Sequence, residues 1–406
     1  MKGLQSTRDR KRKKQPDPKM LILLIIMMLV GVGFLLMLAV VDAFPKGIVL
    51  GLLIALILMI VLAAFLMGNS SRKPRTVGIA LVLAFIIFFG MGIYYLTSTY
   101  SMFARITSGS TTDAKSVNVI AEPFNIYVTG IDQWTVEKGQ DLERSDVNMI
   151  ATVNPLTRKI MLTSIPRDSY VALHRTGTMD KLTHTGIYGV DETLNTVSDW
   201  TGLDMNYYVK ANFSACVHIV DAMGGIDVTS PVAFKSSISK YKYKKGLNHL
   251  NGHEALYFAR ERHAFEEEDQ DRVQNQQRVM KAMLNKMMTS STLLTDYGKL
   301  MSAISEDMET NMPQDDIRAL VKMQLSDLGG WDIRTQHMKG DVAMETVASL
   351  SSKNKYTVVK IREESFNECI EKIKKTMTSS EEEIDRATKT RQQNTMKSFA
   401  KRTLKK

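Results

Sequence analysis

NIYVTGID (Asn125–Asp132), ERSDVNMIATVNP (Glu143–Pro155) and KIMLTSIPRDSY (Lys159–Tyr170) are the segments that decide how the rest of the sequence is read. Each holds an apolar, β-rich run: Ile126–Ile131, Val147–Val153 and Ile160–Ile165. Asp132 closes the first run, Arg144 and Asp146 open the second, and Arg167 and Asp168 close the third. Short buried strands with charges at their ends predict an α/β sheet whose site lies along one edge. Three carboxylates and two guanidiniums there point to a hard cation and an anion handled together. Oxygen ligands suit Mg²⁺, and the arginine fork fits phosphate oxygens. Any one of these charges alone is an ordinary polar strand end; the combination carries the signal.

Downstream, helical and extended patterns alternate. Val190–Thr201 predicts a helix ending at Gly202, Tyr207–Lys210 a strand, and Phe213–Met223 a helix closed by Gly224–Gly225 that leads to strand Ile226–Thr229. Asn251 caps a helix, GHEALYFARER, carrying Arg260 and Arg262 at its C-terminal end. A polar, acidic loop (Ala264–Asp269) precedes a long helix, Asp271–Met288, with Val273, Gln276, Met280, Met283, Leu284 and Met287 on one stripe. Gln276 interrupts that stripe, and Arg272 lies one turn before it. A polar residue on a buried stripe needs a partner, either in the core or on a ligand. A helix from Met312, a strand from Thr357 and a helix over Asn367–Thr376 complete a single α/β or α+β domain over 123–377. Residues 378–406 are charged and poor in large apolar side chains, as a tail without a core would be.

The first hundred residues are different. Three apolar runs, Met20–Val41, Gly47–Met67 and Val77–Leu96, are each about 20 residues, the length that spans hydrocarbon. The first is followed by further spans and no small-residue cleavage site, which disfavours a cleaved signal peptide. Basic residues fill the tail 1–19, and Arg72, Lys73 and Arg75 separate the second and third runs, whereas Asp42–Lys46 is poor in positive charge. The positive-inside bias then puts both basic segments in the cytoplasm and everything after Leu96 outside. Thr97–Glu122, rich in Ser and Thr, reads as a connector with little structure of its own.

The 406 residues carry a formal charge of +10, but much of the excess lies in the N-terminal tail and in Arg386–Lys406. Nucleic acid is therefore not the expected partner. The basic C-terminal tail suits an anionic wall polymer or lipid headgroups, or is a solvated end. Two cysteines, Cys216 and Cys369, exclude a disulfide framework; two buried thiols are expected before one bridge. Phosphate-loop, nucleophile-elbow and His-Glu-x-x-His motifs are absent from the sequence. His249 and His253 lack a third zinc ligand, and the acidic run Glu266–Asp269 reads as a solvated loop. What remains is Asp132, Arg144, Asp146, Arg167, Arg260, Arg262, Arg272 and Gln276, a set suited to a pyrophosphate whose charge is shared between arginines and a cation.

Gly130–Asp132, RSDVN (Arg144–Asn148), SIPRDSYV (Ser164–Val171), DAMGGIDV (Asp221–Val228), NGHEALYFARER (Asn251–Arg262) and DQDRVQNQQ (Asp269–Gln277) together resemble the LytR–CpsA–Psr family. The match runs in order from about Phe124 to Met288 and less sharply to about Met377. The three N-terminal spans and ETNMPQDDI resemble its capsule-associated CpsA branch. The resemblance implies an α/β/α sandwich with a hydrophobic lipid cleft. It also implies transfer of a glycopolymer, of capsular or teichoic acid type, from an undecaprenyl-pyrophosphate carrier to peptidoglycan. Under it, Asp132 and Asp146 match the aspartates associated with Mg²⁺, a role Mn²⁺ would also suit. Arg144, Arg167, Arg260, Arg262 and Arg272 match the arginines around the pyrophosphate, and Gln276 the glutamine that contacts it. Asp168 is expected to orient Arg167; Asp269 and Asp271 fall in the family's acidic turn. Two departures stand out. Gln133–Trp134 follow the first aspartate where many members carry Arg, and the extra domain of CpsA-type members is replaced by the Thr97–Glu122 connector. A phosphohydrolase using the same site, or a non-enzymatic envelope regulator, are the alternatives.

Overall fold

The computed structural model describes residues 18–42, 44–69, 71–107, 113–131, 145–262, 264–265, 268–288, 300, 303, 307–327, 329–350, 354–386 and 388–389. Met1–Thr97 and Ser98–Lys406 form two compact units.

Three long helices make up the first: α1 (Pro18–Val41), α2 (Lys46–Met67) and α3 (Arg72–Thr107). All three are long and apolar enough to cross a membrane, and they contain the expected runs 20–41, 47–67 and 77–96. In hydrocarbon only a helix satisfies every backbone group within its own segment, which is why such uninterrupted apolar sequence adopts it. Met27, Leu56, Ala63, Met67, Val82 and Phe85 are buried between the helices. Phe85 and Phe89 stack with ring centroids 4.1 Å apart. Leu29, Leu58, Phe65 and Phe88 face outward, more than 60% exposed. In water that apolar surface would be costly; against lipid it is not. Helix α3 runs on to Thr107, so the connector expected from Thr97 begins with helix.

In the second unit the chain forms β1 (Phe124–Ile131), β2 (Ser145–Asn154), β3 (Lys159–Ser164), β4 (Tyr170–Ala172), β5 (Met179–Lys181), a 3-10 turn (Leu182–Tyr188), α4 (Val190–Thr201) and β6 (Tyr207–Ala211). Then come α5 (Phe213–Ala222), β7 (Ile226–Ser230), β8 (Phe234–Lys235), β9 (Lys242–Tyr243), β10 (Gly246–Leu250), α6 (Gly252–Arg260) and α7 (Glu268–Met287). The rest is β11 (Met308–Thr310), α8 (Gln314–Ser326), β12 (Asp332–His337), β13 (Gly340–Glu345), β14 (Tyr356–Ile361) and α9 (Glu363–Met377). Six strands make one mixed sheet in the order β11-β6-β1-β2-β3-β12. Strand β1 runs parallel to β6 and antiparallel to β2, and β3 runs parallel to β12.

Strand alternation sorts the side chains into two layers. Phe124, Met149, Ala151, Val153, Ile160, Leu162 and Tyr207 face one way, packed by Met280 and Leu284 of α7 and Ile317 and Leu320 of α8. Tyr127, Ile150, Met161 and Tyr208 face the other, against Leu194 and Val197 of α4 and Cys369, Ile370 and Ile373 of α9. The domain is thus the expected α/β/α sandwich. A third apolar cluster joins α5, α6, α7 and β7. Cys216 and Cys369 are free, on α5 and α9; burial pushes the Cys216 thiol up to about 12.

The face under α4 and α9 is unusually polar. Asn125, Thr129, Asn148, Thr152 and Asn154 are all buried there. Each has a partner: Tyr127 Oη donates to Asn148 Oδ1 at 2.5 Å, and Thr152 Oγ1 to Asn125 Oδ1 at 2.7 Å. Thr129 and Ser145 hydroxyls pair at 2.6 Å, and Asn154 Nδ2 donates to the Thr376 carbonyl of α9 at 2.8 Å. Burial holds the Tyr127 phenol far above its ordinary pKa, so it stays a neutral donor.

Candidate active site at one edge of the sheet

Register brings the charged strand ends together. Ile131 at the end of β1 pairs with Ser145 at the start of β2, and Gly130 pairs with Ala211 at the end of β6. Ile165, just past β3, donates its N–H to the Asn148 carbonyl at 2.8 Å. The end of β1, the start of β2, the segment after β3 and the end of β6 therefore share one sheet edge. Asp132 and Arg144, adjoining the paired Ile131 and Ser145, lie outside the described residues.

At this edge Arg167 Nη1 donates to Asp146 Oδ1, and Arg167 Nε lies 3.4 Å from Asp168 Oδ2. Lys181 Nζ donates to the other Asp168 oxygen at 2.9 Å. Positive and negative groups so alternate from Asp146 through Arg167 and Asp168 to Lys181, each partly accessible. The Arg167 and Asp168 carbonyls accept from Thr183 N (2.9 Å) and Val359 N (2.8 Å), and Thr183 Oγ1 donates to the Ser145 carbonyl at 3.1 Å. Arg167 is thus held by its backbone as well as by two carboxylates, with a third of its side chain exposed. Asp168 forms an ion pair with Arg167, the partner the resemblance implied; Lys181, from β5, is a member the sequence did not offer.

Helix α6 supplies the next arginine. Asn251 and Glu254 form a reciprocal capping box at its start. Gly252 N–H donates to Asp221 Oδ1 of α5 at 2.8 Å, and a Cβ at Gly252 would lie 2.2 Å from the Val217 carbonyl oxygen. Only glycine permits this approach of α6 to α5. At the other end, the Arg260 guanidinium lies over the Phe213 ring, 4.3 Å from its centroid. Phe213 begins α5 two residues past β6, so it holds Arg260 beside the same sheet edge.

Arg262 departs from expectation. The helix ends at Arg260, and Glu261 is extended (φ −68°, ψ 135°), so Arg262 lies beyond it. The cause is Glu261, which is fully buried. Its carboxylate accepts from Ser237 N (2.7 Å), Ser237 Oγ (2.6 Å) and Arg262 N (3.1 Å). Holding Glu261 inward in an extended conformation stops the helix there, so Arg262 does not continue the helical spacing of Arg260. Burial by itself would raise the Glu261 carboxyl; the bonds from Ser237, Ser236 and Arg262 outweigh it and keep the group below the ordinary glutamate value of 4.5. A depressed carboxyl pKa adds stability that is present above the unfolded value and is lost as pH falls through the folded one. Glu261→Gln should therefore melt below wild type at pH 7, with the gap narrowing as pH drops below 4.5. Thermal unfolding followed by circular dichroism across that range checks it; a gap independent of pH would contradict the ionised, hydrogen-bonded state.

Helix α7 buries a different amide from the expected one. Gln277 is buried and donates to Ser164 Oγ at 2.9 Å and to the Gln336 carbonyl at 2.5 Å, locking the helix to the ends of β3 and β12. Gln276 is only partly buried. The fully buried positions are Arg272, Asn275, Gln277, Val279 and Met283, because α7 packs on two sides, against the sheet and against α6. Asp271 is partly buried beside Arg272. His249 bonds Asp227 at 2.8 Å, and among the described residues no group of three ligands gathers at the His249–His253 pair.

Among the described residues no group of three or more acidic, His or Cys side chains converges as a cation cage. Asp146 fits a different mode. Its Oδ1 is taken by Arg167, while Oδ2 has no partner among the described residues. One or two carboxylate oxygens plus substrate phosphates is how proteins commonly hold Mg²⁺.

Comparison with known proteins bears on the family and the fold. The model of the LytR_cpsA_psr family matches residues 92–397. A Bacillus cereus protein named polyisoprenyl-teichoic acid–peptidoglycan teichoic acid transferase TagU is 37% identical over 196 residues, 48% of this chain and 62% of the relative. The Bacillus subtilis protein of the same name is 30% identical over 281 residues, 67% of this chain and 85% of its own. The chain thus spans less than two thirds of the first relative and more of the second. The crystal structure of B. subtilis TagV superposes with a TM-score of 0.52 at 26% identity, covering 64% of this chain and 98% of that one.

Proposed function

The chain belongs to the LytR–CpsA–Psr family, and from that premise we propose that it is a membrane-anchored phosphotransferase. Its reaction joins a glycopolymer, carried on undecaprenyl pyrophosphate, to a hydroxyl of peptidoglycan. The observation that carries the reading is the gathering of Asp146, Arg167 and the Phe213-stacked Arg260 at one edge of the sheet. Relatives named as teichoic acid transferases support it. So does the positive-inside bias, which favours an external catalytic domain where lipid-linked pyrophosphates and peptidoglycan occur.

In the reaction, the acceptor oxygen forms a bond to the glycan-proximal phosphorus and the bond to the bridging oxygen breaks. Prenyl phosphate leaves with that oxygen, and the acceptor proton is released. Arg144, Arg167, Arg260, Arg262 and Arg272, with Gln276, bind the pyrophosphate oxygens and neutralise the charge that grows on the leaving phosphate. Asp168 and Lys181 hold Arg167 in position. Asp132 and Asp146 are the residues that would hold Mg²⁺, which supplies positive charge to the phosphate oxygens. The glycopolymer class is capsular or teichoic.

The full chain, purified in detergent, is incubated with a prenyl-pyrophosphate-linked saccharide, with and without Mg²⁺ and peptidoglycan fragments. Prenyl phosphate release coupled to a saccharide–phosphate–peptidoglycan product is expected, and only with the metal. Release without that product would replace transfer by hydrolysis. No release under any condition would sink the enzymatic reading.

A further inference from the structure

The loop between β8 and β9 and the outer face of α6 border an open surface pocket of about 400 Å³, lined by Ile238, Ser239, Lys240, Tyr241, His253 and Tyr257. Its volume falls within the range of small-molecule sites, roughly 300–1,000 Å³. The Tyr241 and Tyr257 rings stand 5.8 Å apart at 44° and form its aromatic wall. Lys240 and His253 are exposed at its rim.

Two features join this pocket to the arginine edge. His253, Tyr257 and Arg260 are spaced four and three residues apart on α6, so they share one helix face. That face runs from the pocket to Arg260 over roughly 10 Å at 1.5 Å per residue. The loop is also fastened there: Ser237, next to Ile238, gives both its N–H and its hydroxyl to Glu261, the residue between the two arginines. A ligand with a phosphate at Arg260 and a chain extending along α6 would meet Tyr257 next.

We propose that the Tyr241–Tyr257 pocket is a saccharide subsite that takes a sugar unit carrying an anionic substituent; the proposal rests on the transferase reading above. Aromatic rings offer an apolar face to the C–H face of a pyranose, with Tyr hydroxyls and Ser239 as hydrogen-bonding neighbours. Lys240 supplies the charge that selects a phosphate or carboxylate substituent. Both the donor glycopolymer and the muramic acid of the acceptor present this chemistry.

The test uses the full chain in detergent and two lipid-free probes, a phosphate-bearing disaccharide and a disaccharide containing N-acetylmuramic acid. Binding is followed by saturation-transfer NMR on the sugar ring protons. We expect at least one probe to bind wild type, and the probe that binds names the donor or the acceptor as the occupant. Tyr257→Ala should weaken that binding about tenfold or more. Lys240→Glu, at an exposed position, should weaken it as well. Binding of neither probe, or binding unchanged in both variants, overturns the subsite. Prenyl phosphate release by wild type, measured on the same preparation, is independent of this outcome. If release fails, the transferase reading falls; if release persists while the probes fail, only the subsite does.

Discussion

Arg260→Ala and Arg262→Ala are each expected to lower prenyl phosphate release by about a thousandfold or more, the scale on which single arginines act in phosphoryl transfer. The stability cost should be small. Neither arginine is fully buried, and the stacking of Arg260 on Phe213 is worth about 0.5–1 kcal/mol at an accessible position. For a domain of this size that corresponds to a fall in Tm of under about 4 °C. Arg260→Lys keeps the charge but loses the planar fork and the stack, so it should recover only part of the activity. Release assays paired with thermal melts separate the two effects. Near-wild-type release in both alanine variants would remove this edge as the site.

Arg158→Ala should show the reverse pattern, a large loss of stability with activity per folded molecule retained. Arg158 sits in the β2–β3 turn, at the opposite end of those strands from Asp146 and Arg167, with its side chain 4% exposed. Its Nη1 donates to Gln324 Oε1 (3.0 Å) and the Gly329 carbonyl (2.5 Å), and its Nη2 to the Asp327 carbonyl (2.7 Å). Its guanidinium also lies over Trp331, 5.6 Å from the ring centroid. Truncation removes a buried guanidinium with its three hydrogen bonds and its ion pair to Asp327, at about 3–5 kcal/mol, even though Gln324 Oε1 keeps Trp331 Nε1 and the Gly329 carbonyl keeps Gln324 Nε2 as donors. The expected fall in Tm is about 6–20 °C. Arg158→Met restores the volume of the stem without the bonds and should recover little. If it recovers most of the loss, packing and not hydrogen bonding holds this corner.

The parts of the fold that sequence revealed are those with a local signature. The alternating runs gave β1, β2 and β3 to within two residues at each end, and Val190–Thr201 was bounded by Gly202, which adopts the left-handed conformation (φ +66°) that ends the helix. Asn251 with Glu254 three residues on marked the start of α6. Strand β12 (DIRTQH) escaped because Ile333 is its only buried apolar residue; the strand is recruited by β3, not by its own pattern. The end of α6 was misjudged because Arg-Glu-Arg suits a helix as well as an extended segment, and Glu261 chooses the latter through serines more than twenty positions away. The buried amide of α7 was assigned to Gln276 and not Gln277 because a helix packed on two sides has no single apolar stripe. Lys181 and Phe213 carry no motif at all. They enter the site through register and through the turn after β6, which only the assembled sheet specifies.

The polar face of the central sheet has a consequence for how the chain can be assembled. An apolar face would tolerate a strand sliding by two residues, since one aliphatic contact replaces another. Here a slide of β2 against β1 would take Asn148 from Tyr127, Thr152 from Asn125 and Ser145 from Thr129 at once, leaving several buried groups without partners at about 1–3 kcal/mol each. The network works as a key that admits one alignment. That alignment is also what sets the end of β1, Ile131, against Ser145, the neighbour of Asp146, so the fidelity of strand pairing and the make-up of the charged edge are a single inherited constraint.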